Sequence, residues 1–402
     1  MRILQLCHKP PLPAKDGGCI AMNNLTQGLL KQGHEVKVLA MSTPKHSFSE
    51  HELSAEYCQK TAFETVSVDT KINYFLAAKS IILNQSYYVN RFFSKDFSNK
   101  LIQVLKSQSF DLIQLESIFA APYIPVIKQY STAKILLRAH NIEHKIWERL
   151  AKQQSSLLKK FAFSILAKKL KRFELSVFSQ IDGYMTISEQ DYDYFHEQFP
   201  NTSGTVIAFG IDPTDYAEED YIPSENPQLF HLGSLDWKPN MEGVDWFLNE
   251  VWEEMHAKFP QLTFTIAGRH IPSKLKTLQL PNVIILGEVA DAQEFMHSKD
   301  IMIVPILSGS GVRVKIIEGM ALGKTIITTS IGAEGLEIEN GKHLIIADNK
   351  EDFIHAVEKC IKTPDICKII GENARNFVVL YHNNDLIINK MVGFYADILK
   401  EE

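Results

Sequence analysis

Short apolar runs that alternate with helix-periodic segments constrain the fold of this chain more than any other feature. The run from Ile3 to Cys7 suits a buried parallel strand, and a loop follows it. Apolar residues between 21 and 30 then recur with helical spacing, Gly33 ends that helix, and residues 36–40 read as the next strand. This strand–helix–strand order predicts a parallel sheet covered by helices.

The same alternation continues on both sides of a polar stretch at residues 212–227. That stretch holds six acidic residues, three prolines and no basic residue, which is typical of an interdomain linker. Further strands are predicted at 111–115, 134–138, 184–187, 229–232, 262–267, 283–286, 301–306 and 325–329. Helices are predicted at 241–256, 292–297 and 312–322, with one or two more between 145 and 180.

We therefore predict an α/β protein with two Rossmann-like, doubly wound domains that face a central cleft. The first domain is predicted at residues 1–212 and the second at 228–382. Residues 383–402 are predicted to hold a closing helix that packs back on the first domain.

The composition excludes several classes of protein. The chain has 402 residues, 45% hydrophobic and 22% charged, with a net charge of −6, which is ordinary for a globular protein. The acidic balance argues against a nucleic-acid partner. No apolar run reaches the ~18 residues that a membrane span needs, and the N-terminal apolar run is too short for a signal peptide. Five scattered cysteines without a CxxC pair predict a reducing cytoplasm and no zinc.

Ligands of doubly wound sheets bind beyond the carboxyl ends of the strands, so the loops at those ends are the candidate sites. Gly17 and Gly18 lie in the first such loop, where they allow close approach of the backbone to an anion at a helix N-terminus. The alternative is a simple tight turn. The G-x-G-x-x-G pattern of a dinucleotide site is absent after this strand.

A second candidate loop spans residues 138–144. Its His140 and Asn141 follow an apolar strand, where side chains project into a cleft. His140 and His144 are four residues apart, like a metal-binding pair on a helix, but the H-E-x-x-H order is absent. Structural or capping histidines are the alternative, and we predict no metal site.

The third candidate loop follows the predicted strand at 301–306. Gly309 and Gly311 free the backbone, so that the amides near Val312 can point at an anion at the start of a helix. Arg313 and Lys315 add positive charge at the same place. The pattern favours an anion site, with a capped helix and a solvated basic turn as the alternative.

The segment 145–172 is the most charge-biased part of the chain. It holds nine basic residues and one acidic residue, a net charge of +8. Apolar side chains are interleaved with the charges, namely Phe161, Phe163, Ile165, Leu166 and Leu170. A basic amphipathic helix binds anionic lipid, which predicts peripheral contact with a membrane surface. The alternative is a helix whose apolar residues face the core and whose lysines are solvated.

Three stretches of sequence resemble the retaining glycosyltransferases of family 4, which have the GT-B fold. They are residues 304–324 (VPILSGSGVRVKIIEGMALGK), 330–336 (SIGAEGL) and 233–240 (GSLDWKPN). The last stretch is similar to a bacterial branch linked to surface-polysaccharide assembly. The resemblance implies a C-terminal domain that binds a UDP- or GDP-sugar and an N-terminal domain that binds a glycan or lipid-linked acceptor. It also implies transfer with retention, in the cytoplasm or at the inner face of the plasma membrane.

The resemblance assigns roles in the second domain. Glu318 would be the second acid of the family's Glu-x7-Glu motif and would accept hydrogen bonds from the donor ribose. The first acid would fall at Ser310, and the loop at Ser234 lacks the arginine that many members have. We therefore expect Arg313 and Lys315 to bind the diphosphate and to replace a metal ion.

The remaining roles follow from the same resemblance. His140 matches the family's histidine near the donor sugar, and Glu288 follows Gly287 at a strand end, where it would lie beside the base. The predicted catalytic residues are thus His140, Arg313, Lys315 and Glu318. The predicted donor-binding residues are Gly17, Gly18, Ser234, Glu288, Gly309, Ser310, Gly311 and Val312.

Departure of the diphosphate places negative charge on the leaving group, which fixed amides, arginine and lysine stabilise. The family retains configuration, and the resemblance implies that a diphosphate oxygen takes the proton of the acceptor. Two alternatives stay open on the sequence alone. One is a nucleotide-sugar 2-epimerase of the same architecture, and the other is a non-catalytic nucleotide-sugar binder.

Overall fold

A computed structural model of the chain divides into two compact units. The first unit comprises Met1–Gly210 and Asn384–Glu402, and the second comprises Ile211–Asn383. The structure describes residues 1–14, 16–48, 53–73, 80, 86–154, 156–216, 227–309 and 311–400. Ser310 and most of the predicted linker at 212–227 therefore lie outside the described residues.

The first unit is built on a parallel sheet of seven strands in the order β3-β2-β1-β4-β5-β6-β7. The strands are β1 (Arg2–Cys7), β2 (Glu35–Ser42), β3 (Glu64–Ser67), β4 (Leu112–Glu116), β5 (Lys134–Ala139), β6 (Gly183–Thr186) and β7 (Ser203–Val206). Strands β4 and β6 are buried along their whole length, as expected for strands covered by helices on both faces. The strand order reverses between β1 and β4, which is where such sheets bind ligands.

Helices cover both faces of this sheet. They span Gly17–Lys31, Ala55–Thr61, Tyr87–Asn90, Lys95–Ser107, Ile124–Tyr130, Glu143–Lys152, Leu157–Val177, Glu189–Gln198 and Asn384–Lys400, with 3-10 turns at Ile118–Tyr123 and Phe178–Gln180. The Asn384–Lys400 helix belongs to this unit because Ile388, Met391 and Tyr395 are buried in the same apolar cluster as Leu25 and Leu29. The side-chain amide of Asn384 also donates a hydrogen bond of 3.0 Å to the backbone carbonyl oxygen of Asn24.

The second unit is built on a parallel sheet of six strands in the order β10-β9-β8-β11-β12-β13. The strands are β8 (Gln228–Leu232), β9 (Thr263–Ala267), β10 (Val283–Gly287), β11 (Ile301–Val304), β12 (Thr325–Thr328) and β13 (Ile345–Ile346). Its helices span Lys238–Trp246, Trp252–Lys258, Ser273–Lys276, Ala292–His297, Val314–Ala321, Lys350–Lys362 and Asp365–Tyr381, with a 3-10 turn at Pro213–Asp215. The predicted helix at 241–256 is a longer helical segment with a π turn at Phe247–Val251.

The predicted α/β class is confirmed, since both sheets are wholly parallel and helices connect their strands. The ends of the predicted strands and helices differ from the observed ones by at most four residues, and the helix Ala292–His297 has the predicted bounds. The charged segment at 145–180 forms two helices, Glu143–Lys152 and Leu157–Val177. Within the described residues, no helix is both long and apolar enough to span a bilayer.

Candidate active site

The loop after β11 in the second unit uses glycine where the backbone requires it. Gly309 and Gly311 have φ angles of +103° and +84°, a left-handed region that other residues rarely adopt. A Cβ atom on Gly309 would also lie 3.2 Å from Pro239. Ser308 anchors the loop because its hydroxyl donates to the Glu242 carboxylate at 2.6 Å. The conformation that the sequence predicted for an anion-binding loop is therefore present on either side of residue 310.

Arg313 stands at the N-cap position of the Val314–Ala321 helix, so the helix begins two residues later than predicted. Its side chain is buried, and the guanidinium donates to the carbonyl oxygens of Gly311 and Ile331. The guanidinium carbon lies 5.4 Å from the centre of the Trp237 ring. These contacts fix the positive charge beside the glycine loop, which Val312 joins to the helix.

Lys315 lies in the first turn of the same helix and reaches back to β8. Its ammonium group donates to Asn240 Oδ1 at 2.8 Å and lies 3.4 Å from His231 Nε2. Burial, with a further contribution from the nearby Arg313 charge, lowers the pKa of Lys315 to about 7. Among the residues that the structure describes, no carboxylate lies within ion-pair distance of this lysine.

The tautomer of His231 follows from its surroundings. Nδ1 lies 2.9 Å from the carbonyl oxygen of Ile303, which only accepts, so Nδ1 carries the proton and Nε2 presents a lone pair to Lys315. Burial and the Lys315 charge hold the pKa of His231 well below its ordinary value. A neutral imidazole and an amide therefore solvate the lysine in place of water.

Glu318 lies one helical turn beyond Lys315 and is paired with Tyr216. Burial raises the pKa of Glu318 to about 7, although a hydrogen bond from the Tyr216 hydroxyl opposes the rise. The Tyr216 carbonyl in turn accepts from Arg375 at 3.2 Å. Tyr216 thus holds the carboxylate in one orientation while leaving its other acceptor positions available.

Ser234 and Glu288 lie at the carboxyl ends of two strands of this sheet, β8 and β10, which β9 separates. The Ser234 hydroxyl donates to Asp236 at 2.6 Å, and its carbonyl accepts from the Asn240 amide at 2.8 Å. Asn240 therefore connects Ser234 with Lys315. Glu288 is exposed and follows β10, an edge strand two places from β8.

In the first unit, His140 belongs to a buried group at the carboxyl ends of β4 and β5. Glu116 Oε2 accepts from His140 Nε2 at 2.8 Å and from Arg138 Nη1 at 3.2 Å. Burial alone would raise the pKa of Glu116, but the Arg138 charge and the His140 hydrogen bond outweigh it and bring it to about 2. The carboxylate is ionised and only accepts, so His140 Nε2 carries a proton and Nδ1 has the lone pair.

Two further contacts complete this group. Gln114 donates to Glu116, and the Tyr395 hydroxyl of the Asn384–Lys400 helix donates to Gln114. The ring of His8 lies edge-on to that of His140, with 5.8 Å between their centres. Burial, together with the neighbouring Lys9 charge, holds the pKa of His8 well below its ordinary value.

Gly17 and Gly18 begin the Gly17–Lys31 helix, whose N-cap is Asp16. The Asp16 carboxylate accepts from the Cys19 amide at 3.0 Å and from Lys9 at 2.6 Å. A Cβ atom on Gly18 would lie 2.9 Å from Lys9 Nζ, so the lack of a side chain at Gly18 leaves room for the ammonium group of Lys9. The anion at this helix N-terminus is thus supplied by the chain itself.

His144 is not placed to form a metal pair with His140. Its Nδ1 lies 2.5 Å from Glu174 and its Nε2 lies 2.9 Å from the Tyr194 hydroxyl, so both ring nitrogens are occupied. In the described parts of the chain, no group of three His, Cys, Asp or Glu side chains is arranged to hold a metal ion.

The structure thus groups the predicted residues by unit. Gly309, Gly311, Arg313, Lys315 and Ser234 lie together at the ends of β8 and β11, and Gly17, Gly18 and His140 lie at the ends of β1 and β5. The sequence prediction missed five residues that hold these side chains, namely Glu116, Arg138, Tyr216, His231 and Asn240. Arg138 and Asn240 lie in the sequence stretches 138–144 and 233–240 described above. No sequence signal marks Glu116, Tyr216 or His231.

Family models match both units. Residues 17–215 match the Glycosyltransferase Family 4 model, and residues 226–363 match the model described as Glycosyl transferases group 1. A curated relative, an uncharacterized 44.6 kDa protein in the cps region of Klebsiella pneumoniae, is 24% identical over 384 residues, covering 92% of this chain and 93% of the relative.

Solved glycosyltransferase structures resemble the whole chain. Sucrose-phosphate synthase from Thermosynechococcus elongatus has a TM-score of 0.71 at 14% identity, with 100% of both chains covered. HepE from Anabaena in complex with UDP has a TM-score of 0.67 at 14% identity, covering 99% of this chain and 100% of HepE. WaaG, a glycosyltransferase involved in lipopolysaccharide biosynthesis, has a TM-score of 0.65 at 15% identity, covering 99% and 100%. The two family models therefore show that the chain belongs to the glycosyltransferases, and the solved structures show that it has the GT-B fold.

Proposed function

We propose that the protein transfers a sugar from a UDP- or GDP-sugar to a glycan or lipid-linked acceptor, with retention of configuration, in the synthesis of a cell-surface polysaccharide. Support for the donor comes from HepE, which was solved with UDP and with UDP-glucose. Support for the pathway comes from the cps-region relative and from WaaG. The five free cysteines agree with the proposed cytoplasmic location.

One observation carries the proposal, namely the environment of Lys315. A lysine whose pKa has fallen to about 7 is held beside Arg313 by neutral partners only. Burying the charged form of a lysine among neutral partners is unfavourable unless an anion from outside joins it. A nucleoside diphosphate is such an anion, and we propose that backbone amides of the glycine loop donate hydrogen bonds to it together with the two side chains.

The other predicted residues then take roles around the diphosphate. Glu318, held by Tyr216, accepts hydrogen bonds from the ribose hydroxyls. Ser234, Gly309 and Val312 would border the phosphates and Glu288 the base, and the same role is proposed from the sequence for Ser310, which lies outside the described residues. In the first unit, His140 presents a neutral Nδ1 acceptor toward a donor-sugar hydroxyl, with Gly17 and Gly18 in the adjoining loop.

Positive charge at the leaving group is the catalytic element of this proposal. As the sugar–diphosphate bond breaks, negative charge grows on the diphosphate, and Arg313 and Lys315 stabilise it without reorganisation. We propose that no divalent ion is required, because the two side chains supply its charge. The proton of the acceptor passes to a diphosphate oxygen, so that no protein base is needed.

The test begins with a thermal-shift screen of UDP- and GDP-sugars and continues with the stabilising donor in a transfer assay. We expect transfer to an acceptor extract, undiminished by EDTA, with the anomeric configuration of the new linkage identified by NMR. An epimerised sugar without acceptor would indicate the 2-epimerase, and binding without turnover would indicate a binding protein. An inverted product, or activity that EDTA abolishes and Mg²⁺ or Mn²⁺ restores, would overturn the proposed mechanism.

A further inference from the structure

The Leu157–Val177 helix has two apolar faces, of which the core uses one. Ala167, Leu170 and Val177 are buried on that face, together with Glu174. Phe163 also points inward, where its ring packs edge-on against Trp147 at 5.5 Å. The interleaved apolar residues of this segment therefore divide into two groups, and the core accounts for Phe163 and Leu170.

The second apolar face lies on the opposite side of the helix. Leu157, Leu158 and Phe161 are 82%, 83% and 68% exposed, and every residue from 156 to 162 is exposed. At 100° per residue, Leu157, Phe161 and Ile165 fall in one stripe that points away from Leu170. Two adjacent leucines and a phenylalanine in a fully exposed double turn form more than the scattered apolar surface of an ordinary protein.

Basic residues surround this stripe. Lys159, Lys160 and Lys168 are exposed, and no acidic residue occurs between 149 and 173. The helical period places Lys168 and Arg172 in line with Leu157 and Phe161, about two to four turns further along. Apolar side chains at one end of a face and cations along the rest of it form a surface that is complementary to an anionic interface.

We propose that this membrane-binding surface, formed by Leu157, Leu158, Lys159, Lys160, Phe161 and Lys168, docks on an anionic phospholipid bilayer. The apolar side chains would enter the headgroup region while the lysines attract the lipid charge. The positive charge favours lipid over a second copy of the chain as the partner of this surface, since two copies of a surface this basic repel each other. The inference is independent of the proposed function, because docking requires neither donor nor turnover.

Vesicle flotation tests the proposal with the full chain. We expect the protein to float with phosphatidylcholine–phosphatidylglycerol vesicles at low salt, and to remain at the bottom with pure phosphatidylcholine or at ~0.5 M salt, where charges are screened. The double variant Leu157→Gln/Phe161→Gln should reduce the floating fraction about tenfold or more. Lys159→Glu/Lys160→Glu should have a comparable effect, since each basic residue contributes about fivefold.

The matched control is Leu380→Gln, which removes a leucine that is 64% exposed on the Asp365–Tyr381 helix. It should float like the wild type. A wild type that stays at the bottom with anionic vesicles at low salt would overturn the proposal. So would glutamine variants that float normally, or variants whose only change is the loss of a dimer in gel filtration. Nucleotide binding, measured in parallel, reports on the proposed function separately.

Discussion

The two units place charge at the ends of their parallel strands in opposite ways. In the first unit, Glu116, Arg138 and His140 form what we call the glutamate cluster, where the cation and its counter-ion are both part of the chain. In the second unit, Arg313, Lys315, His231 and Asn240 form the lysine cluster, where the contacts of Lys315 are an amide and a neutral imidazole.

The pKa values express this difference. The ionised form of Glu116 is stabilised, with a pKa of about 2, whereas the charged form of Lys315 is destabilised, with a pKa of about 7. A cluster that contains its own counter-ion contributes to folding. Among the described residues Lys315 has no carboxylate within ion-pair distance, and we propose that it binds an anion from outside. The comparison therefore predicts that substitutions in the first cluster damage stability and that those in the second damage binding.

The largest effect is expected at Glu116. Glu116→Ala leaves Arg138 buried without its carboxylate, which typically costs about 3–5 kcal/mol. Hydrogen exchange measured on peptides from β4 and β5 reports the first unit alone. The control is Asp385→Ala, which removes the exposed ion pair with Lys31 at 2.9 Å and should cost less than about 1 kcal/mol. Equal protection in both variants would show that the glutamate cluster does not stabilise the unit.

Substitutions of Arg313 and Lys315 should weaken ligand binding and leave the stability of the second unit largely unchanged. A charge-assisted hydrogen bond to an anion contributes about 1.5–3 kcal/mol, so Arg313→Ala and Lys315→Ala should each weaken UDP or GDP binding roughly tenfold to a hundredfold. Isothermal titration calorimetry measures this. Lys238→Ala is the matched control, since Lys238 lies nearby but is exposed and paired with Glu242. Unchanged affinity in both cluster variants would remove the lysine cluster from the donor site.

The pH dependence of binding should differ between lysine and arginine at position 315. With a pKa of about 7, Lys315 loses its proton as the pH rises above 7, and nucleotide affinity should then fall, by up to about tenfold per pH unit. Above pH 7, where the free lysine is largely neutral, nucleotide binding should take up a proton, which calorimetry in buffers of different ionisation enthalpy detects. Lys315→Arg should abolish the dependence, because arginine stays charged.

Glu318 titrates in the same range, with a pKa of about 7, and gains negative charge as the pH rises. The pH series therefore includes Glu318→Gln, in which Lys315 is the one member of this pair that still titrates. An affinity that is flat between pH 6 and 8.5 in that variant would contradict the assignment to Lys315.

The smallest effect is expected for Glu318→Gln itself. The amide keeps the shape of the carboxylate but loses the charge that strengthens its hydrogen bonds to hydroxyls, a difference of about 1 kcal/mol. Affinity for UDP or GDP should fall about fivefold, whereas affinity for the 2′,3′-dideoxy analogues should be unchanged. Equal losses for both kinds of ligand would assign Glu318 a purely structural contact with Tyr216.

Local sequence signals predicted the parallel strands and the glycine turn after β11, because both depend on adjacent residues. A buried strand is a short apolar run, and the glycines around residue 310 precede a helix with Arg313 and Lys315. The partners of those side chains depend on register. Lys315 meets His231, 84 residues earlier, only because β8 and β11 are neighbours.

Register likewise explains the missed glutamate cluster. Parallel pairing aligns Glu116 with Arg138, so a single shift between β4 and β5 would separate them. The glycine turn at Gly17 and Gly18 illustrates a second limit. Asp16 caps the helix that begins there, and a sequence motif alone does not reveal whether a ligand also binds at that helix N-terminus.

The hydrogen bonds from Tyr395 to Gln114 and from Gln114 to Glu116 have a consequence for biosynthesis. The ribosome completes β4 and β5 long before the Asn384–Lys400 helix, and all of the second unit is translated in between. Until that helix emerges, the apolar face that Ile388 and Met391 cover is open, and Gln114 lacks its tyrosine donor. The first unit can therefore complete its apolar cluster only after the whole second unit has been synthesised, so the two units need not fold in the order in which they begin.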